Sequence, residues 1–192
     1  MLDAATVNQL FRKPAEGGDE SAPLPGALDR PATQADADLL QQRYQPRLDA
    51  LAKEGAAKFH FVDYSPPSFI VFQNKVYIQI TLRNPESFDK TASSIYKRAA
   101  QTFDLFLGPQ MKAILDLLPA DATAAGLDIT VLNSLTGKSD VKSTSSEAVE
   151  FICPLNALKQ FGDAEITSQQ LINKSIVLVN GTRIGLNLQL VE

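Results

Sequence analysis

The side chains of this chain that could carry chemistry stand apart from one another. There is one histidine, His60, and one cysteine, Cys153. A nucleophilic cysteine needs a base that depresses its thiol pKa, and His60 is the only imidazole on offer. Cys153 ends the apolar run Phe-Ile-Cys-Pro and reads as a small buried hydrophobe. His60 lies in Lys-Phe-His-Phe-Val-Asp-Tyr. On a strand it would share a face with Val62, with Phe59, Phe61 and Asp63 opposite, as an edge or satisfied core histidine. A His-based dyad would have to draw Ser, Cys or Asp from afar, and no G-x-S-x-G elbow marks one. One thiol and one imidazole do not make a metal site.

Thr136-Gly137-Lys138-Ser139 resembles the end of a phosphate-binding P-loop. That loop needs a glycine five residues before its Gly-Lys pair so that the backbone can cradle phosphate. Leu132 stands there, and Asp-Val-Lys-Ser-Thr-Ser-Ser follows where a helix should begin. No nucleotide or other cofactor motif is intact. Paired carboxylates can do acid–base work when burial drives their pKa values apart. Asp116/Asp121 and Asp163/Glu165 are such pairs in sequence, but both fall near expected helix ends or turns, where solvated charge explains them. Asn173-Lys174-Ser175 and Asn180-Gly181-Thr182 match the glycosylation sequon, and the second is already explained as a turn. The densest aromatic cluster is Phe59, Phe61, Tyr64, Phe69 and Phe72. It reads first as core. Phe59, Phe61, Tyr64 and Phe69 are the candidates for a pocket wall or partner contact beside Pro66-Pro67.

The elements that must position these residues follow from pattern. The 192 residues are 44% hydrophobic and 21% charged, enough for one domain with its own core and too apolar for disorder. A net charge of -4 argues against nucleic-acid binding, which rests on phosphate neutralisation. No run approaches the length of a transmembrane segment, and no leader is visible after Met1. Residues 1–32 read as a flexible lead rich in Pro, Gly and small polar residues, with a short helix over residues 5–12.

Residues 33–192 read as a single α+β domain. Thr33 and Asp36 match a capping box, and Leu40, Tyr44, Leu48 and Leu51 form one helical stripe. Gly55 is the expected stop, and Pro46 predicts a kink or two abutting helices. A strand over residues 59–64 precedes a pair at 69–72 and 76–82. A second helical region, residues 90–118, has Ile95, Ala99, Phe103, Phe106, Gln110, Ile114 and Leu117 at helical spacing, with a kink or corner at Gly108-Pro109. Strands follow at 127–131 and 147–153, then a Ser/Thr/Lys-rich loop signal over 136–146 between them, and short helices at 154–161 and 168–173. Strands 175–179 and 183–191 flank Asn180-Gly181, the strongest short hairpin signal. Clustered strands without βαβ alternation predict an antiparallel sheet with two major helical segments packed on one face and a C-terminal β-hairpin.

The function expected from this pattern is a non-catalytic domain that binds another protein or a second copy of itself. The alternative is a small-molecule binder or an enzyme with a pocket between helices and sheet, lined by aromatic and polar groups. No cofactor, metal or disulfide is expected, and the partner is neither nucleic acid nor a bilayer core. A tethered place at a bacterial cell envelope suits the lead and would require a leader ahead of Met1.

Overall fold

Helix α1 (Gln34–Phe59) starts where the capping box placed it. The Asp36 carboxylate accepts from the Thr33 backbone N–H at 2.7 Å and from Thr33 Oγ1 at 2.8 Å. Arg30 adds a bidentate pair to the same carboxylate and helps hold its pKa down at about 2. The computed structural model describes residues 30–119, 123–137 and 145–190, so the helix expected at residues 5–12 lies outside the described residues.

The stripe Leu40, Tyr44, Leu48 and Leu51 is buried. Pro46 does not divide the helix, because it lies on the solvent side, where water can satisfy the carbonyl it leaves without a donor. Gly55 does not end the helix either. The helix closes at His60, which takes a left-handed conformation and donates its N–H to the Gly55 carbonyl. Glycine is needed at position 55 because the ring of Phe61 occupies the space a Cβ would fill.

The expected strand over residues 59–64 reduces to one bridge, Phe61 to Leu82. Strand β1 (Ser68–Phe72) pairs antiparallel with β2 (Lys75–Asp89) through a two-residue turn, Gln73 and Asn74, both at positive φ. The outward N–H of Phe69 is taken up by Gln41 Oε1 at 2.9 Å, so α1 covers that part of the sheet edge.

The second helical region is one α–π–α run: α2 (Ile95–Gln101), a π turn (Thr102–Leu107) and α3 (Gly108–Asp116). Pro109 has no N–H for the Leu105 carbonyl, and the turn before it widens. Gly108 N–H reaches back to Phe103 O, and Gln110 Nε2 satisfies Phe106 O at 2.9 Å. A π turn adds a residue, which rotates everything downstream. Leu107 and Met111 are therefore buried where Phe106 and Gln110 were expected, while Ile95 is exposed.

This run carries the chain back to the end of the sheet at which β2 began. Strand β3 (Gly126–Thr136) accordingly lies parallel to β2. The sheet is mixed, which corrects the expected all-antiparallel arrangement. Strand β4 (Ser145–Pro154) returns antiparallel to β3, helices α4 (Leu155–Gly162) and α5 (Ser168–Lys174) follow, and β5 (Ile176–Val179) pairs antiparallel with β4. Asn180 and Gly181 form the expected turn, with φ of 50° and 77°. The last strand, β6, is only Thr182–Ile184, far shorter than its alternation suggested. Leu186 folds back into the core, and Gln169 clamps this segment by donating to Leu186 O and accepting from Leu188 N.

The six strands lie in sequence order. One sheet face carries Phe69, Ile78, Ile80, Leu82, Leu127, Ile129, Val131, Val149, Phe151, Val177 and Val179, which join one core with the buried stripes of the helices. Phe103 of the π turn meets Phe151 at 5.5 Å between ring centroids. The buried residues Tyr77 and Ile152 project from the other face and are not part of that core.

Candidate functional site

The face opposite the helices is the most unusual surface of the protein. Register places its side chains in rows across the strands. One row runs Ser68, Gln79, Asp128, Ile152, Ile176; the next runs Thr81, Thr130, Glu150, Leu178, Arg183. Asp128 and Glu150 are thus diagonal neighbours on β3 and β4, within side-chain reach. Each carboxyl shifts the pKa of the other.

Asp128 is 2% exposed. Its Oδ2 accepts from Gln79 Nε2 at 3.1 Å, and its Oδ1 finds no donor if Glu150 is ionised. Burial raises the pKa of both acids. Glu150, repelled by the Asp128 charge and able to donate to it, is pushed up to about 7. Tyr77 closes one side of the site, and its phenol is also raised by burial. Its ring lies over Gly126 and packs edge-on against Phe72 at 6.0 Å.

A second polar cluster lies at one end of the core face and has no free capacity. Arg98 donates to Glu147 from Nε and Nη2, at 3.0 and 2.6 Å, and to Ser93 O from Nη1. Thr102 Oγ1 donates to Arg98 O at 2.7 Å and accepts from Asn133 Nδ2 at 2.8 Å. Asn133 Oδ1 accepts from Asn84 Nδ2, and Asn84 Oδ1 takes the backbone N–H of Glu86. The register between β2 and β3 slips between Arg83 and Ser87, where Asn84 takes up the Glu86 N–H and Asn133 ties Asn84 to Thr102.

The aromatic candidates do not form one wall. Phe61 and Phe69 are buried in the core, Phe69 beside Tyr44, and Phe59 packs half-buried against it. Tyr64 is 69% exposed, and its hydroxyl accepts from Arg83 at the rim of the open face. His60 is exposed, with its ring 6.2 Å from that of Phe106. Cys153 is fully buried on the core face, and burial pushes its thiol up to about 12, which makes it inert near neutral pH. Asp116 faces Lys112 at 3.8 Å in solvent, while Asp163 and Glu165 are exposed. Asp121, Lys138 and Ser139 lie outside the described residues. The side-chain amide of Asn180 is engaged by the backbone of Ala148 at 2.9 Å.

Asp116 and Asp163, read as members of separate pairs, line one cleft with Lys112 and Lys159. It lies between α3, α4 and the start of β3, and its volume is about 340 Å3. Its apolar lining is aliphatic (Ile78, Leu115, Leu127, Leu155), with no aromatic ring.

Among the described residues, no group of three or more His, Cys, Asp or Glu side chains is placed to hold a metal ion. No described helix is long and apolar enough to cross a membrane. Comparison with known proteins found no matching family, no similar curated protein and no similar solved structure. The open face itself is the feature that bears on function. Its central pair was not found from the sequence. The available signal was Asp128 on the non-core side of Leu-Asp-Ile-Thr-Val, but its partner appears only once β3 and β4 are in register.

Proposed function

We propose that this chain is a non-catalytic domain that binds another protein through the open face of its sheet. The observation that supports this best is the segregation of the layers. Every described helix adjoining the sheet packs on one face, while the other presents Ile70, Phe72, Ile176 and Leu178 around polar Gln79, Thr130 and the acid pair. Apolar side chains around a few polar groups are the composition of a contact surface. The edges suit strand addition less well, since Gln41 covers part of β1 and β6 is only Thr182–Ile184. Pairing through the same face with a second copy would set acid pair against acid pair, so a different chain with a cation or donor at its centre is the favoured occupant. The Pro/Gly-rich lead suits tethering such a domain, and a bacterial cell envelope is the setting proposed.

A photoreactive side chain at Leu178, with a control at exposed Gln42, tests this in cells that make the protein. The expected result is a cross-linked protein at Leu178 only. Once purified, that protein should bind wild type and lose at least about tenfold in affinity for Thr130→Arg, which places a long cation on the face. Cross-links confined to Gln42, or binding indifferent to Thr130→Arg, would overturn the proposal.

A second reading, small-molecule binding, has the cleft in its favour, because about 340 Å3 falls in the range of ligand sites. A ligand present at about 100 times its Kd should add roughly 2.7 kcal/mol of stability. A thermal-shift screen of metabolites and metals should then find a compound that stabilises wild type but not Gly162→Leu, which narrows the cleft. A screen with no such compound ends this reading.

A further inference from the structure

We propose that Asp128 and Glu150 form a proton-binding site, in which one proton bridges the two carboxyls and its loss leaves two like charges in the middle of the open face. The geometry carries the inference. Asp128 is almost fully buried, and one of its oxygens has no donor unless Glu150 supplies one. A buried acceptor left without a donor is costly, and a hydroxyl on the adjacent carboxyl removes that cost.

Among the described residues, no other group donates to that oxygen, the Thr130 hydroxyl on the same face of β3 included. On β2, Gln79 already donates to Oδ2, and the Tyr77 phenol stays neutral. On β4, the Cys153 thiol lies on the core face and stays protonated. On β5, Ile176 and Leu178 are apolar. The cations of this face sit at its rim. Lys75 is opposite Phe72, Arg83 is bonded to Tyr64, and Arg183 is separated from Glu150 by Leu178. Among the described residues, no ion pair reaches either acid.

Glu150 in the folded protein titrates at about 7, above its ordinary value of 4.5. Between those values the folded chain holds more protons than the unfolded one. Stability from the bridge is therefore present below pH 4.5 and is lost as pH rises through about 7. This site does not depend on the open face having a protein partner, and failure of either proposal leaves the other standing.

Carbon-detected NMR titration of the side-chain carboxyls tests the site directly, alongside thermal midpoints from pH 5 to 8 for wild type and Glu150→Gln. The Gln amide mimics the protonated acid, since it can donate to Asp128 but cannot ionise. We expect a Glu150 midpoint near 7. We also expect a wild-type thermal midpoint that falls, relative to Glu150→Gln, by about 4 °C across that range, after allowing for solvent screening of a partly exposed acid. Both carboxyls titrating below pH 5 would overturn the proposal, as would parallel thermal profiles for the two proteins. If Glu150→Gln does not fold, the wild-type titration decides alone.

Discussion

Glu147→Ala is expected to destabilise the protein by about 3–5 kcal/mol, because it leaves the Arg98 guanidinium buried without its counter-charge. Both side chains are almost wholly removed from water, at 6% and 2% exposure. Isothermal urea unfolding should show the loss. The thermal midpoint should drop by roughly 10 °C, since each kcal/mol moves it about 2–4 °C in a domain of this size. Arg98→Met should destabilise as well, because it leaves the buried Glu147 carboxylate without its counter-charge. The double variant Arg98→Met/Glu147→Leu should regain most of the stability, because packed apolar groups replace a buried pair at little net cost. If Glu147→Ala costs under about 1 kcal/mol, as a surface pair would, the guanidinium must escape to water. The position of the pair gives the prediction its weight. Arg98 also holds Ser93 O, and Thr102 links the helix to Asn133 and through it to the bulge at Asn84. Losing the carboxylate therefore loosens the crossover that makes β2 and β3 parallel.

Much of this could be read from single elements of the sequence, and what could not depends on how they meet. Thr33 with Asp36, the stripe from Leu40 to Leu51, the turn at Asn180-Gly181 and the alternation of β2 act over a few residues, and each holds. The parallel pairing of β2 and β3 depends on where the α–π–α run returns the chain, and no local spacing encodes that. The π turn hid the true stripe. Gly108-Pro109 signalled an irregularity, but the one-residue shift from Phe106 to Leu107 depends on which carbonyls the widened turn satisfies. The polar sites were hidden for a related reason. Glu147 keeps phase with Val149, Phe151 and Cys153, so alternation alone placed an acid on the core face, where it needed a buried cation. Asp128 and Glu150 each fall on the non-core side of an alternating strand. They become a pair only when β3 and β4 align with Thr130 opposite Glu150.

Gly126→Ala is expected to cost at least about 2–3 kcal/mol, the upper range for forcing an extra carbon into a packed site. A Cβ at Gly126 would lie well inside contact distance of the Cys153 carbonyl on β4, and 2.9 Å from Cε1 of Tyr77. The ring could swing away, but the carbonyl belongs to the strand ladder and moves only if β4 moves. The double variant Gly126→Ala/Tyr77→Ala should therefore fail to recover stability, which would identify the backbone as the obstacle. Gly181→Ala supplies the contrast. That residue has a φ of 77° and open space around it, so its cost is conformational only, on the order of 1 kcal/mol. Equal losses at the two glycines, or rescue by Tyr77→Ala, would refute the steric account. The consequence reaches the open face. The Tyr77 ring can lie over position 126 only because that position carries no side chain, and the buried phenol senses the Asp128 charge. Any Gly126→Ala protein that still folds should therefore titrate Glu150 nearer its ordinary value of 4.5, as water reaches the carboxyls.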